Sequence, residues 1–108
     1  MEFLVKFEIN VPAGTSESEV QDREQAEARA VAELARQGHV VRIWKLPDED
    51  GGGSVLGLYR ADAETELDAL LKALPLSDWM DLTVTRLETH PNDPLTKQLT
   101  TAAASGGR

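Results

Sequence analysis

Two helical stripes of apolar residues, each flanked by runs in which every second residue is apolar, leave this chain few folds to choose from. Phe3, Val5, Phe7, Ile9 and Val11 alternate with Glu2, Lys6, Glu8 and Asn10, so a first strand turns one face to a core, with Leu4 on its more polar side. Pro12-Ala13-Gly14 ends it. Ser16 and Glu19 fit a capping box that opens a helix running to about Gln37, and Gly38 is its left-handed stop. A second strand is predicted from His39 to Leu46, with Val41 and Ile43 on one face and Val40, Arg42, Trp44 and Leu46 on the other. The acidic, glycine-rich stretch Pro47 to Gly53 is its turn, and Ser54 to Arg60 is the hairpin partner. Asp62 is placed to cap a second helix carrying Leu67, Leu70, Leu71 and Leu74, which Pro75 ends. Trp79-Met80 leads into a last strand with Leu82, Val84 and, less regularly, Leu87.

The order β-α-β-β-α-β defines an α+β, ferredoxin-like sandwich: a four-stranded antiparallel sheet with both helices on one side. Its second face lacks helix cover. Apolar groups expected there, such as Leu4 and Trp44, need a partner surface, and a homo-oligomer supplies one. Residues 1–94 form the domain. Beyond His90-Pro91-Asn92-Asp93-Pro94 the composition turns to Thr, Ala, Ser and Gly, so 95–108 is expected to be a flexible tail.

At 108 residues the chain can bury a modest core but no large cavity of its own, which places any substantial ligand site between layers or subunits. Nineteen acidic residues against eleven basic ones give a net charge of -8, and the cations are scattered, which argues against nucleic acid as a partner. A small anion is still admissible, because one or two arginines in a cleft can outweigh the global field. Without cysteine there is no disulfide, thiolate metal site or cysteine nucleophile. The opening Met1-Glu2-Phe3-Leu4-Val5-Lys6 lacks the form of a signal peptide, and no run approaches the about 20 apolar residues that cross a bilayer. The expectation is a cytoplasmic protein without membrane contact.

One residue breaks the core pattern. In the stripe Val20, Glu24, Glu27, Val31 and Leu34 the spacing runs four, three, four, three, so Glu27 sits at the centre of the first helix's inward face. Burying an unpaired carboxylate is costly, unless the interior uses it. It either meets a core arginine, with Arg23 one turn earlier as the obvious partner, or uses its burial to reach the working range of a general base. Glu24 is the weaker candidate, about 60° around the helix. Arg23, Arg42 and Lys45 can hold a substrate carboxylate or form surface ion pairs, Arg42 and Lys45 being on opposite strand faces. Trp44, Tyr59 and Trp79 are core or subunit-contact aromatics that could also wall a flat ligand, and Tyr59 could donate to a developing oxyanion. His39 and His90 complete no metal motif, and Gly51-Gly52-Gly53 has neither the length nor the lysine of a phosphate loop. No cofactor is expected.

Met1-Glu2-Phe3-Leu4-Val5-Lys6, Val11-Pro12, Glu27, Gly38 before Arg42-Ile43-Trp44-Lys45, Leu74-Pro75-Leu76, Trp79-Met80-Asp81 and His90-Pro91 together resemble the muconolactone isomerase family, in order over residues 1–94. The resemblance implies intertwined dimers, assembled to decamers in the studied bacterial enzymes. It also implies cofactor-free conversion of muconolactone to 3-oxoadipate enol-lactone in aromatic catabolism (the beta-ketoadipate pathway). A proton would leave the carbon beside the lactone carbonyl and return elsewhere on the conjugated intermediate, with Glu27 matching the family's glutamate. The sequence departs from the family at Pro47 to Ser54, where acidic residues and glycines replace the usual Ala-Asn lead into the third strand. That departure leaves open a related lactone, a cofactor-free monooxygenase or lactone dehalogenase, or a non-catalytic binding paralogue.

Overall fold

Alternation in β1 (Glu2–Ile9) sends Phe3, Val5 and Phe7 to one face, where all three are buried. The computed structural model describes residues 1–47 and 53–96. Its elements are β1, α1 (Glu17–Arg36), β2 (Val40–Pro47), β3 (Gly53–Arg60), α2 (Glu64–Lys72), a 3-10 turn (Ser77–Trp79) and β4 (Met80–Leu87). The sheet order is β2-β3-β1-β4 with every pairing antiparallel, the ferredoxin-like topology expected from the element order. Of the turn expected over Pro47 to Gly53, Pro47 and Gly53 are paired as the last residue of β2 and the first of β3, and 48–52 lie outside the described residues. Of the expected tail over 95–108, residues 95 and 96 belong to a helical turn that starts at Pro94, with the Leu95 amide donating to Asp93, and 97–108 lie outside the described residues.

Register decides which side chains share a face. Phe3, Val5 and Phe7 stand opposite Tyr59, Gly57 and Val55 of β3, and opposite Arg86, Val84 and Leu82 of β4. With Leu67, Leu71 and Leu74 from α2 and the segment after it, they form the core. Leu4 faces away, next to Leu58, while Leu56 stands opposite both Lys6 and Trp44. Leu87 pairs with Glu2 and so lies on that open face, not with Leu82 and Val84. One expectation fails here. The register slips between Val40 and Arg42, and the bulge at Val41 turns Val40 to the helix side, opposite Tyr59, while Arg42 and Trp44 stay on the open face.

The helix ends show what caps them. The Ser16 side chain accepts from the Glu19 amide at 3.1 Å. At the other end, Gly38 (φ +85°) lets its amide reach Ala35 O and the His39 amide reach Leu34 O, at 3.1 and 2.9 Å, a Schellman arrangement. Asp62 does not cap α2: Ala63 holds the cap position without a side-chain bond, and Glu66 reaches back to accept from the Asp62 amide at 3.1 Å. The two helices cover the sheet unequally. α2 buries Leu67 and Leu71, whereas α1 fully buries nothing along its 20 residues and touches the core through Ala30, Val31 and Leu34.

Gly57 is a packing requirement. A Cβ there would lie 2.5 Å from Cε1 of Tyr59, whose ring is 1% exposed and cannot swing out. Gly57→Ala should destabilise the protein by about 1–3 kcal/mol, read by urea unfolding.

Candidate active site

Glu27 lies half-buried on the inward side of α1, as its place in the stripe predicts, whereas Glu24 is exposed. The backbone amide of Leu76 donates to Glu27 Oε1 at 3.1 Å. Burial raises the carboxyl pKa above its usual value, and the Leu76 hydrogen bond opposes that shift more weakly. Tyr59 comes from β3: burial first, and the negative charge of Glu27 second, push its phenol up to about 12. The hydroxyl therefore keeps its proton at any working pH.

Arg23 does not neutralise Glu27. Its Nη1 donates to Asp78 Oδ1 at 2.7 Å and to the Pro75 carbonyl at 3.2 Å, and its guanidinium lies 4.3 Å over the Trp79 ring. Trp79 is buried, so that stack is a flat cation on an apolar plate. Among the described residues no cation is within ion-pair distance of Glu27. The alternative in which a core arginine satisfies the stray carboxylate is thus overturned, because Asp78, 55 positions along the chain from Arg23, takes the guanidinium instead.

The other sequence candidates divide by sheet face. Lys45 stands opposite Val55, on the helix side, while Arg42 and Trp44 stand opposite Leu58 and Leu56 on the open side. Arg42 lies 5.2 Å over the Trp44 ring, a cation stacked on an aromatic side chain. Within one protomer that pair is across the sheet from Glu27. Tyr59 belongs to the core: it stands 5.9 Å from Phe7, ring to ring, at a 48° tilt. Buried to 1% exposure, it works as a wall to Glu27 rather than as an open oxyanion donor. The participation of Asp78, Pro75 and Leu76 was missed in the sequence, and Leu74-Pro75-Leu76 gave the only hint.

His39 Nδ1 is 2.8 Å from the Arg60 carbonyl, and His90 accepts from the Asn92 amide at 2.9 Å. Among the described residues no three His, Cys, Asp or Glu side chains gather as a metal site would need. Three hollows of about 270, 510 and 400 Å³ border α2 and Val84, the Met1–Leu87 end of the sheet, and the Gly38–Asp62 corner. Glu27 lines none of these three.

A four-stranded ferredoxin-like sheet with a desolvated carboxylate on its first helix defines a class of small α+β proteins. The chain belongs to the muconolactone delta-isomerase family, whose sequence pattern matches residues 1–93. It is 27% identical over 92 residues to the muconolactone Delta-isomerase of Acinetobacter baylyi, covering 85% of this chain and 93% of that protein. Identity to the corresponding isomerase of Cupriavidus pinatubonensis is also 27% over 92 residues, covering 85% of this chain and 97% of that one. In three dimensions it is similar to a crystal structure of muconolactone isomerase (TM-score 0.76, 22% identity, 87% of this chain and 95% of that one). It also shares the fold of a 5-chloro-2-hydroxyhydroquinone dehydrochlorinase from Burkholderia phenoliruptrix (TM-score 0.62, 14% identity, 86% and 99%).

A raised folded-state pKa means that the folded chain holds the Glu27 proton more tightly than the unfolded one. Stability is then fully present below the ordinary carboxylate pKa and falls as pH climbs through the Glu27 midpoint. Glu27→Gln removes the charge and retains an oxygen for the Leu76 amide. Urea unfolding should show the variant gaining on the wild type at about pH 8 but not at about pH 4.

Proposed function

We propose that this protein is a cofactor-independent isomerase that moves a proton within a small unsaturated lactone of the muconolactone kind, with Glu27 as its acid–base group. The observation that carries the reading is the state of that carboxylate: half-buried, raised in pKa, held at one oxygen by a backbone amide, and free of any ion-pair partner among the described residues. Family membership supplies the reaction class.

Conjugation fixes the order of events. In an α,β-unsaturated lactone the carbon beside the carbonyl carries no removable proton, so the proton leaves the γ carbon. The order is the reverse of that first drawn from the family resemblance. Glu27 takes this proton, and the C–H electrons spread through the ring as a dienolate with its charge on the carbonyl oxygen. The Glu27 carboxyl then returns the proton to the α carbon, and the double bond ends at the carbon bearing the ring oxygen, as in an enol-lactone. Nothing is gained or lost, and one carboxyl group performs both transfers. A base with raised pKa is matched to this task because it accepts the proton more readily than an exposed glutamate. Of the cations named from the sequence, Lys45 is assigned here to draw in a substrate carboxylate: it shares the helix side of the sheet, whereas Arg42 is on the open side and Arg23 is engaged by Asp78.

The proposal includes a second copy of the chain. Leu4, Trp44, Leu46, Leu56, Leu58 and Leu87 share the sheet face that carries no helix, and Trp44 and Leu87 are each 36% exposed. A row of that kind is what a homodimer or higher assembly covers. Packing two such faces together brings the Arg42–Trp44 pair of each copy against its neighbour and away from bulk water.

Two measurements check these readings. Incubation with muconolactone, followed by ultraviolet absorbance, should show turnover that Glu27→Gln lowers by about 100- to 10,000-fold; equal rates for the two would remove Glu27 from the mechanism. In light scattering the wild type should have at least the mass of a dimer, and Leu58→Lys, on the open face, should shift it towards monomer while the circular dichroism is kept.

A further inference from the structure

Arg23 and Glu27 hold the two ends of one peptide group. The Pro75 carbonyl accepts from Arg23 Nη1 at 3.2 Å, and the amide of the next residue, Leu76, donates to Glu27 Oε1 at 3.1 Å. One turn of α1 separates the two side chains, so they reach the same peptide plane from neighbouring positions on one face. Asp78 and the Trp79 ring hold the guanidinium from below, and both lie in the 3-10 turn that follows this peptide. The segment 75–79 is thereby stitched to a helix that buries no side chain fully.

We infer that Arg23 is a positioning residue: by fixing the Pro75–Leu76 peptide it aims the Leu76 amide at Oε1 of Glu27, orienting the carboxyl group and leaving Oε2 as the oxygen that carries the proton. The idea rests on the reading of Glu27 as the acid–base group only for its consequence in catalysis, because the geometry itself is a property of the resting protein. A cation pulling on the carbonyl oxygen also polarises the peptide and strengthens its N–H as a donor. Arg23 thus acts on Glu27 through a peptide bond, without touching substrate.

Among the described residues, three further titratable or charged groups bear on this arrangement. Tyr59 from β3 stays neutral, Asp78 on the 3-10 turn is engaged by Arg23, and Lys45 is on the helix side of β2. Arg23 itself is about one-third exposed, with 32% of its side-chain surface open, so its replacement is compatible with folding.

The test is a titration that needs no substrate. In protein labelled with ¹³C at glutamate carboxyls, the Glu27 signal is assigned by its loss in Glu27→Gln, and the Leu76 amide is followed by ¹⁵N in the same samples. In the wild type the Leu76 amide should move with the Glu27 midpoint. Arg23→Gln should uncouple the two, raise the Glu27 midpoint and speed exchange of the Leu76 amide, while Arg23→Lys, which keeps a cationic donor, should restore much of the coupling. If muconolactone is turned over, kcat for Arg23→Gln should fall about tenfold, with the acid limb of its pH profile moved to higher pH. An unchanged Leu76 amide and an unchanged Glu27 midpoint in Arg23→Gln would overturn the inference whether or not the protein is an isomerase. A normal titration response with no turnover would instead count against the proposed function alone.

Discussion

Tyr59 is the residue on which core and site both depend. Its ring lies over Gly57, stands opposite Phe3 and packs near Phe7, so the middle of the sheet is ordered around it. Burial raises the cost of ionising both groups, and the negative charge of Glu27 adds to the cost for the Tyr59 phenol. Because the phenol titrates near 12, the carboxyl group yields first and alone. A single aromatic side chain thus joins the packing of β1 and β3 to the chemistry on α1. Close packing explains why that coupling is rigid: moving the ring would require repacking of Phe7 and Val5 as well.

A carboxylate on a buried stripe works against folding, and the protein tolerates it by limiting the exposure to low dielectric. Glu27 is half-buried rather than sealed, and one backbone amide meets it. Pairing it with Arg23 would stabilise the fold further but would drop its pKa and occupy the oxygens that chemistry needs. The structure diverts the guanidinium to Asp78, the Pro75 carbonyl and the Trp79 face. Stability is given up at one carboxyl group while its neighbouring cation is kept satisfied elsewhere. Such an arrangement is the usual mark of a functional site in an otherwise consistent fold.

Much of this was legible in the sequence, for identifiable reasons. Period-two alternation in β1 and the leucine spacing of α2 are local signals, and they place Phe3, Val5, Phe7, Leu67 and Leu71 in the core where the structure has them. Ser16 and Gly38 mark the ends of α1 through bonds within a few residues. The stripe position of Glu27 was readable on the same footing. What escaped depended on geometry that no local pattern records. The bulge at Val41 flips Val40 because one extra residue changes the face of everything before it. For Arg23 the sequence leaves open pairing with Glu27 or holding a substrate anion; it meets Asp78 instead because α1 and the 3-10 turn approach in space. Ala63 took the cap position expected for Asp62, since Glu66 reached back to the Asp62 amide.

The location of these groups separates the proton chemistry from the choice of substrate. Glu27, Tyr59 and the Pro75–Leu76 peptide belong to α1, β3 and the segment before β4, where bonds between elements fix them. The cations of β2 are arranged differently: Arg42 faces the open side and Lys45 the helix side, at the strand that leads into the acidic, glycine-rich sequence from Pro47 to Ser54. Charge placed there alters the field that an approaching anion meets, falling off over about 8 Å in physiological salt. The basicity of Glu27 is set chiefly by its own burial. On the proposed function, sequence change in the hairpin can retune which substrate is admitted while Glu27 keeps its contact with the Leu76 amide. Divergence of that kind leaves Glu27 braced as before, because Arg23 and residues 75–79, which hold the peptide that meets it, lie outside the hairpin sequence.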